Sequence, residues 1–416
     1  MSETIVAPST IVRSWNAGNA TLSGLHSLLP GRLVVSFDPN LNQTAVVTLT
    51  TSAPELADLI QAEVVPSGKT SFRVDERGIH AMGSQQQLKL SLTQRDVDIT
   101  ASLLVEVTLH SPIAFLTTSS ETIVHDGSLS LQNNAANVVV TSLGSGNVWV
   151  NALNPISVSK LDISSGGSGN VSVAAPSVSA IKRIKLSALD GGSVILQAPS
   201  VLSEELKTSV LGQGSVFVNG TVVTSELQSE VVGSGSINYY PVGHCNDSKV
   251  TILGSGNAYV ASVACFETKV SLAGSGSAYV QAIDTLARSG YGSGSVKYYN
   301  VTPAHLPKAK KYQWFTPTPA QVVPTADNVY ITFDVAPEPT TLKEGVEFHI
   351  VQQTGWFPWP TSETSAPVGS SALATRMGSS TSTCNLGVGA LAIVLLAMVA
   401  FVVFKKRQRL GYASLQ

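Results

Sequence analysis

A short glycine motif that returns eight times between Asn137 and Tyr299 limits the folds open to this chain more than any other feature. It first reads Gly-Ser-Gly-Asn at Gly144 to Asn147, and its second glycine recurs as Gly146, Gly169, Gly192, Gly214, Gly235, Gly256, Gly276 and Gly294. The intervals are 23, 23, 22, 21, 21, 20 and 18 residues. A fixed period near 20 belongs to a solenoid, in which each repeat buries its apolar face only against its neighbours.

Aligning the repeats on that anchor glycine gives consistent columns. Offset +2 reads Val148, Val171, Val194, Val216, Ile237, Ala258, Ala278 and Val296, and offset +4 reads Val150, Val173, Leu196, Val218, Tyr239, Val260, Val280 and Tyr298. Offsets −4, −6 and −8 are also mostly apolar. Alternation with period two sends these side chains inward, so each repeat contributes a strand on either side of the glycine turn. The expected fold is all-β: a single-stranded parallel β-helix with rungs of 18–23 residues. The glycines fit a corner that needs φ above zero, with the Ser or Asn at offset +1 bonding the turn. Phosphate cradling does not fit, because no helix and no Lys-Ser/Thr follows any copy.

The outward columns carry the candidate sites. Offset −9 stacks Glu205, Glu226, Asp247 and Glu267, a weak candidate for calcium. A lysine stands two residues after each of these except Glu226, so an ion-pair network is the simpler reading. Offset +3 carries Trp149, Phe217, Tyr259 and Tyr279. That row is either a partner-binding stripe or the bed for the Pro- and aromatic-rich segment from Tyr312 to Trp359. Cys245 and Cys265 share offset −11 in adjacent rungs, where stacked strands about 4.8 Å apart bring them within disulfide reach. Cys384 is left over. Sequons at Asn19, Asn42, Asn170, Asn219, Asn246 and Asn300 are candidate N-glycosylation sites.

The ends are organised differently. Residues 1–32 show no basic region followed by an apolar core, so an incomplete start is expected. Residues 33–122 read as a β-rich cap and early rungs, with one helix over Pro54 to Val64, and 123–303 as the repeat helix. Residues 304–360 form a Pro/aromatic-rich β segment, and 361–385 a Ser/Thr-rich stalk. Leu386 to Phe404 is free of charge and long enough for a transmembrane helix, followed by a basic tail at 405–416. Positive-inside bias then gives a single-pass plasma-membrane topology, with the large region extracellular and the tail cytoplasmic.

No chemistry announces itself. The seven histidines lack zinc-ligand spacing with any neighbour, and no Gly-x-Ser-x-Gly elbow precedes a helix. A net charge of −2 argues against nucleic acid as an electrostatic partner. No cofactor is expected.

The recurrent Gly-Ser-Gly turns, with Leu104-Val-Glu-Val-Thr-Leu-His-Ser-Pro before the first full rung and Ser293-Gly-Ser-Val-Lys-Tyr-Tyr at the end, resemble the family called putative auto-transporter adhesin, head GIN domain. That resemblance implies a β-helical solenoid and an adhesin-like role, and it assigns no residue roles. The functional expectation is a non-catalytic surface protein binding a glycan or protein. The alternatives are a structural spacer without a ligand and a polysaccharide-active β-helix enzyme.

Overall fold

The computed structural model describes residues 9–15, 21–66, 72–75, 78–81, 86–93, 97–307, 320–340 and 344–352. Its repeat region is a right-through stack of parallel rungs. Asn137–Ser142 pairs in parallel with Ile156–Ser165, which pairs with Val178–Ala188, and Val148–Asn151 pairs with Val171–Ala174 in the adjoining strip. From Val194 onward each rung is nearly continuous strand: Val194–Gly212, Ser215–Gly233, Ser236–Gly254, Asn257–Gly274 and Ala278–Tyr291. The register preserves the columns read from the sequence, as in Val216 opposite Ile237 and Val231 opposite Ile252. Inward columns form one core running the length of the repeat.

The early chain does not stack in sequence order. Leu22–Ser27 and Arg32–Phe37 form a rung held between two later ones: Gln86–Leu92 with Val97–Leu109 on one side, Phe115–Thr118 with Glu121–Val124 on the other. Antiparallel strands Ala45–Thr51, Ile60–Pro66 and Val346–Gln352 then complete the amino-terminal end. Helix occupies only Pro54–Leu59 and not the expected span to Val64. Ile60–Pro66 instead pairs antiparallel with Gln86–Leu92, and these ladder bonds outweigh the helical spacing of Ile60 and Val64.

The transmembrane helix expected over Leu386 to Phe404 is corrected: among the described residues no helix is long and apolar enough to cross a membrane. Leu386 to Phe404 themselves, the stalk at 361–385, the tail at 405–416, Cys384 and Asn19 lie outside the described residues.

The two glycines of the motif do different work. Positive φ falls on the first of them, at Gly212 (127°), Gly233 (121°), Gly254 (127°), Gly274 (133°) and Gly292 (138°). The anchor glycines are needed for closeness. A Cβ on Gly169, Gly192, Gly214, Gly235, Gly256, Gly276 or Gly294 would land on the carbonyl oxygen of the anchor glycine one rung before. The polar column beside them ties rungs together. Asn147 Oδ1 accepts from Asn170 N–H at 3.0 Å, Asn170 Oδ1 from Ser193 N–H at 2.9 Å, and Asn257 Oδ1 from Ser277 N–H at 2.9 Å.

A polar cluster around Tyr239 interrupts the core. Tyr239 replaces the usual valine at offset +4 and is fully buried. Across from it, offset −6 carries Thr208 and Ser229 where other rungs have Ile163, Leu186, Val250 and Val270. The Tyr239 hydroxyl lies 2.8 Å from Thr208 Oγ1 and 3.3 Å from Ser229 Oγ. The hydroxyls therefore compensate one another, as buried polar groups require. Burial pushes the Tyr239 phenol up from 10.0 to about 12, against the lowering effect of its bonds to Ser229 and Thr208.

Two outcomes follow. Gly256→Ala destabilises by about 2–4 kcal/mol, because rungs must part to admit the methyl group. Gly191→Ala, where nothing lies within 4 Å of an added Cβ, stays within about 0.5 kcal/mol of the parent in urea unfolding. The raised folded-state value of Tyr239 means its contribution is complete below its unfolded value of 10.0 and is lost as pH rises towards about 12. Unfolding midpoints measured across that window should fall, and less steeply in Tyr239→Phe.

Candidate functional site

The outward columns divide between two strips of the solenoid. On the strip that carries offset +3, the chain beyond the last rung folds back. Gln321–Thr325 adds a parallel strand to Ser295–Tyr299. The chain then returns along the axis as an extended strap. Asn328 Nδ2 donates to Ser262 Oγ at 3.1 Å, Tyr330 stacks on Tyr240 at 5.4 Å, and Ile331 N–H donates to Asn238 Oδ1 at 3.0 Å. Phe333 meets Phe217 at 4.9 Å, Trp149 Nε1–H donates to Ala336 O at 2.8 Å, and Asn151 donates to Glu338 at 2.6 Å. Further on, Arg32 Nη1 donates to Glu344 O at 3.0 Å before Val346–Gln352 joins the amino-terminal sheet.

The expected stripe is therefore split. Trp149 and Phe217 are not presented to a partner, since both are only 5% exposed. Trp149 packs with Val34, Leu104 and Ile123, and Phe217 with Ile195 and Tyr240 beneath Phe333 and Val335. The physical reason is that an outward aromatic row on a flat sheet is apolar surface, and a neighbouring segment with aromatic residues at matching intervals removes it from water. Tyr240, at offset +5, belongs to this second small core. The alternation that turns Tyr239 inward turns Tyr240 outward, onto the face of the offset +3 column.

Tyr259 and Tyr279 remain half-exposed beyond the strap. Their rings stack 5.0 Å apart at 25°, and Lys297 Nζ lies 4.8 Å from the Tyr279 centroid and 3.1 Å from its hydroxyl. Ring faces are thus occupied by each other and by the ammonium, and the surface offered outward is ring edge, hydroxyl and charge. Burial raises the Tyr259 phenol first, and the neighbouring Tyr279 adds to this, while Lys297 and a bond from Asn257 oppose it.

The other strip bears the charged columns. Glu205, Glu226, Asp247 and Glu267 stack in register. The lysine pairing is partial: Lys269 Nζ reaches Glu267 at 3.4 Å, while Glu226 accepts from Gln228 Nε2 at 2.7 Å. One rung earlier in charge order, Arg183 grips Asp162 at 3.0 and 3.2 Å. A cleft of about 860 Å³ runs along these columns, with Lys160, Lys182 and Arg183 towards one end, Glu204, Glu205, Glu226 and Asp247 in the middle rungs, and Lys249 and Lys269 towards the other end. Among the described residues no three His, Cys, Asp or Glu side chains converge as metal ligands, those of the calcium candidate included. Side chains stacked along a sheet point the same way, and they do not surround a point.

Cys245 and Cys265 form a disulfide, with Cα atoms 4.4 Å apart. Of the candidate glycosylation sites, Asn42, Asn246 and Asn300 are exposed, while Asn170 and Asn219 are half-buried. The Asn170 amide is moreover engaged in the rung-to-rung bond with Ser193.

Comparison with known proteins now bears on this geometry. Residues 177–301 match the family model described as putative auto-transporter adhesin, head GIN domain. The resemblance read from the Gly-Ser-Gly turns therefore holds over a segment containing six of the eight anchor glycines. Among solved structures, the chain is similar to a putative adhesin from Parabacteroides distasonis, at 14% identity over 77% of this chain and 97% of that one, with a TM-score of 0.35. It is also similar to a putative lipid binding protein from the same organism (15% identity, 70% and 96% coverage, TM-score 0.38) and a putative adhesin from Bacteroides fragilis (12%, 70% and 98%, 0.35). No curated protein matches the sequence.

The strap contact is open to a double-mutant cycle. Phe217→Ala and Phe333→Ala should show a coupling of about 0.5–1.5 kcal/mol in urea unfolding, the range for a packed aromatic pair. Additive effects would mean the two rings do not meet.

Proposed function

We propose that this chain is an adhesin-like, non-catalytic binding protein of a cell surface, whose solenoid meets an extended glycan or protein through the end of the aromatic row left bare by the strap. The observation that carries this reading is the Tyr259, Tyr279 and Lys297 cluster, held on rigid stacked rungs beside a row otherwise covered by the chain itself. With the ring faces occupied, recognition there runs through phenol hydroxyls and the lysine ammonium. Hydrogen bonding to sugar hydroxyls or to a carboxylate suits that surface better than stacking of a sugar ring. The match of residues 177–301 to an adhesin family supports the same reading. Asn246 lies in the charged strip, away from this cluster, whereas Asn300 follows Lys297 by three residues in the same rung.

A spacer without a ligand is the second reading, and the strap is the observation that favours it, since it removes Trp149 and Phe217 from contact. Attachment to immobilised polysaccharides and to cells separates the two. Tyr259→Phe with Tyr279→Phe, and separately Lys297→Met, should each weaken attachment about tenfold, the scale of one lost charge-assisted or two lost neutral hydrogen bonds. Retained attachment in both variants rejects the cluster as the binding surface, and a parent that does not attach at all favours the spacer.

A further inference from the structure

Offset −3, the last outward position before the glycine corner, carries an apolar ladder that the core does not use. It comprises Leu143, Leu189, Leu211, Val232, Leu253 and Tyr291, with Gly166 and Ala273 as its small members. Leu211, Val232, Leu253, Ala273 and Tyr291 are stacked by the strand register. Exposure is high for such side chains: 48% for Leu143 and Leu189, 45% for Leu253 and 58% for Tyr291. Scattered exposed leucines need no explanation, but a continuous row over the whole repeat does. The column beside it, at offset −5, is mostly hydroxyls that are satisfied internally, with the exposed carboxylate of Glu230 as its one charged member. Thr141 bonds Ser164 at 3.0 Å, Ser209 bonds Ser187 at 2.9 Å, and Ser271 bonds Ser289 at 2.8 Å. Covering those hydroxyls strips little that water alone supplies.

We propose that this ladder is the contact of a two-fold symmetric dimer of the chain, two solenoids side by side and parallel, with equal rungs at equal heights. Three features single out a second copy. First, side chains repeating at about 4.8 Å pack continuously only against a surface of the same pitch, and another copy supplies it. Second, charge sets the direction. Lys185, Lys207, Lys249 and Lys269 at offset −7 lie on one side of the ladder, whereas offset −1 on the other side is Ser145, Ser168, Gln213, Ser234, Ser255, Ser275 and Ser293. With ladder on ladder, a two-fold axis along the solenoid sets offset −5 against the partner's offset −1 and keeps the two lysine columns on opposite flanks, while an antiparallel pair would set lysine against lysine. Third, a strip roughly 35 Å long and about 13 Å wide offers on the order of 500 Å² per copy, which lies at the low end for specific association and implies a weak, concentration-dependent dimer.

Sedimentation velocity of the full chain over a concentration series tests this, with Leu189→Glu/Leu211→Glu/Leu253→Glu as the variant. Circular dichroism checks its fold. The parent should pass from monomer to dimer, and the variant's dissociation constant should rise at least about tenfold, equal to about 1.4 kcal/mol. Orientation is read separately, in a Cys384→Ser background and without burdening the fold with new charge. Leu143→Cys should form disulfide dimers with itself under mild oxidation. A parent that stays monomeric overturns the proposal, as does association indifferent to the three glutamates. Leu143→Cys that cross-links only to Tyr291→Cys overturns the parallel arrangement. A monomeric parent that binds phosphatidylcholine vesicles through the ladder would make it a lipid contact instead.

Discussion

The structure depends on how closely successive backbones approach at the glycine corner. At the anchor position each rung sits on the carbonyl of the rung before, with no room for a methyl group. That contact repeats seven times in register, so a rung cannot slip without losing it together with the amide and hydroxyl bonds of the neighbouring column. The inward valines and leucines supply the driving force through burial, but they would tolerate a two-residue slip along the strand, which keeps the same face inward. Steric closeness supplies what burial does not, namely a unique alignment of every outward column.

That alignment decides what is exposed. Because residues at one offset are stacked, a single chemical choice in the repeat becomes a line on the surface: a line of carboxylates, of hydroxyls, of leucines, of aromatics. The aromatic line is the one the chain then covers for most of its length. The strap from Asn328 to Glu338 is held by side chains as much as by backbone, through Phe333 on Phe217, Tyr330 on Tyr240 and the Trp149 indole on Ala336. It meets the Tyr259 rung only at Ser262 and reaches the offset +3 column from Asn238 onward, so Tyr259 and Tyr279 stay half-exposed.

The repeat was legible in the sequence because period, column polarity and cysteine register all express one spatial rule. The columns at offsets +2 and +4 were inward, the carboxylates stacked, and Cys245 and Cys265 met. Three things were not legible. The rung formed by Leu22–Ser27 and Arg32–Phe37 lies between strands far later in the chain, and nothing local marks such an insertion. The division of labour between the two glycines required backbone angles, since both residues are glycine for different reasons. Tyr240 carries no column signal, because offset +5 reads Asn151, Ala174, Gln197, Asn219, Ala261 and Gln281 in other rungs, although Phe333 and Tyr330 in a segment rich in aromatics signal that outward aromatics find partners. The stacked carboxylates form a line, whereas a cation needs a cage.

The most direct test of the in-register stack is a set of distances between spin labels on exposed serines at offset −1, introduced as cysteines in a Cys384→Ser background and measured in a spin-diluted sample. Ser168 with Ser234 spans three rungs and Ser168 with Ser293 spans six, so pulsed dipolar spectroscopy should give narrow distributions separated by roughly 14 Å, at about 4.8 Å per rung. Broad distributions, or a distance that does not grow linearly with rung number, would contradict the solenoid on which every column depends.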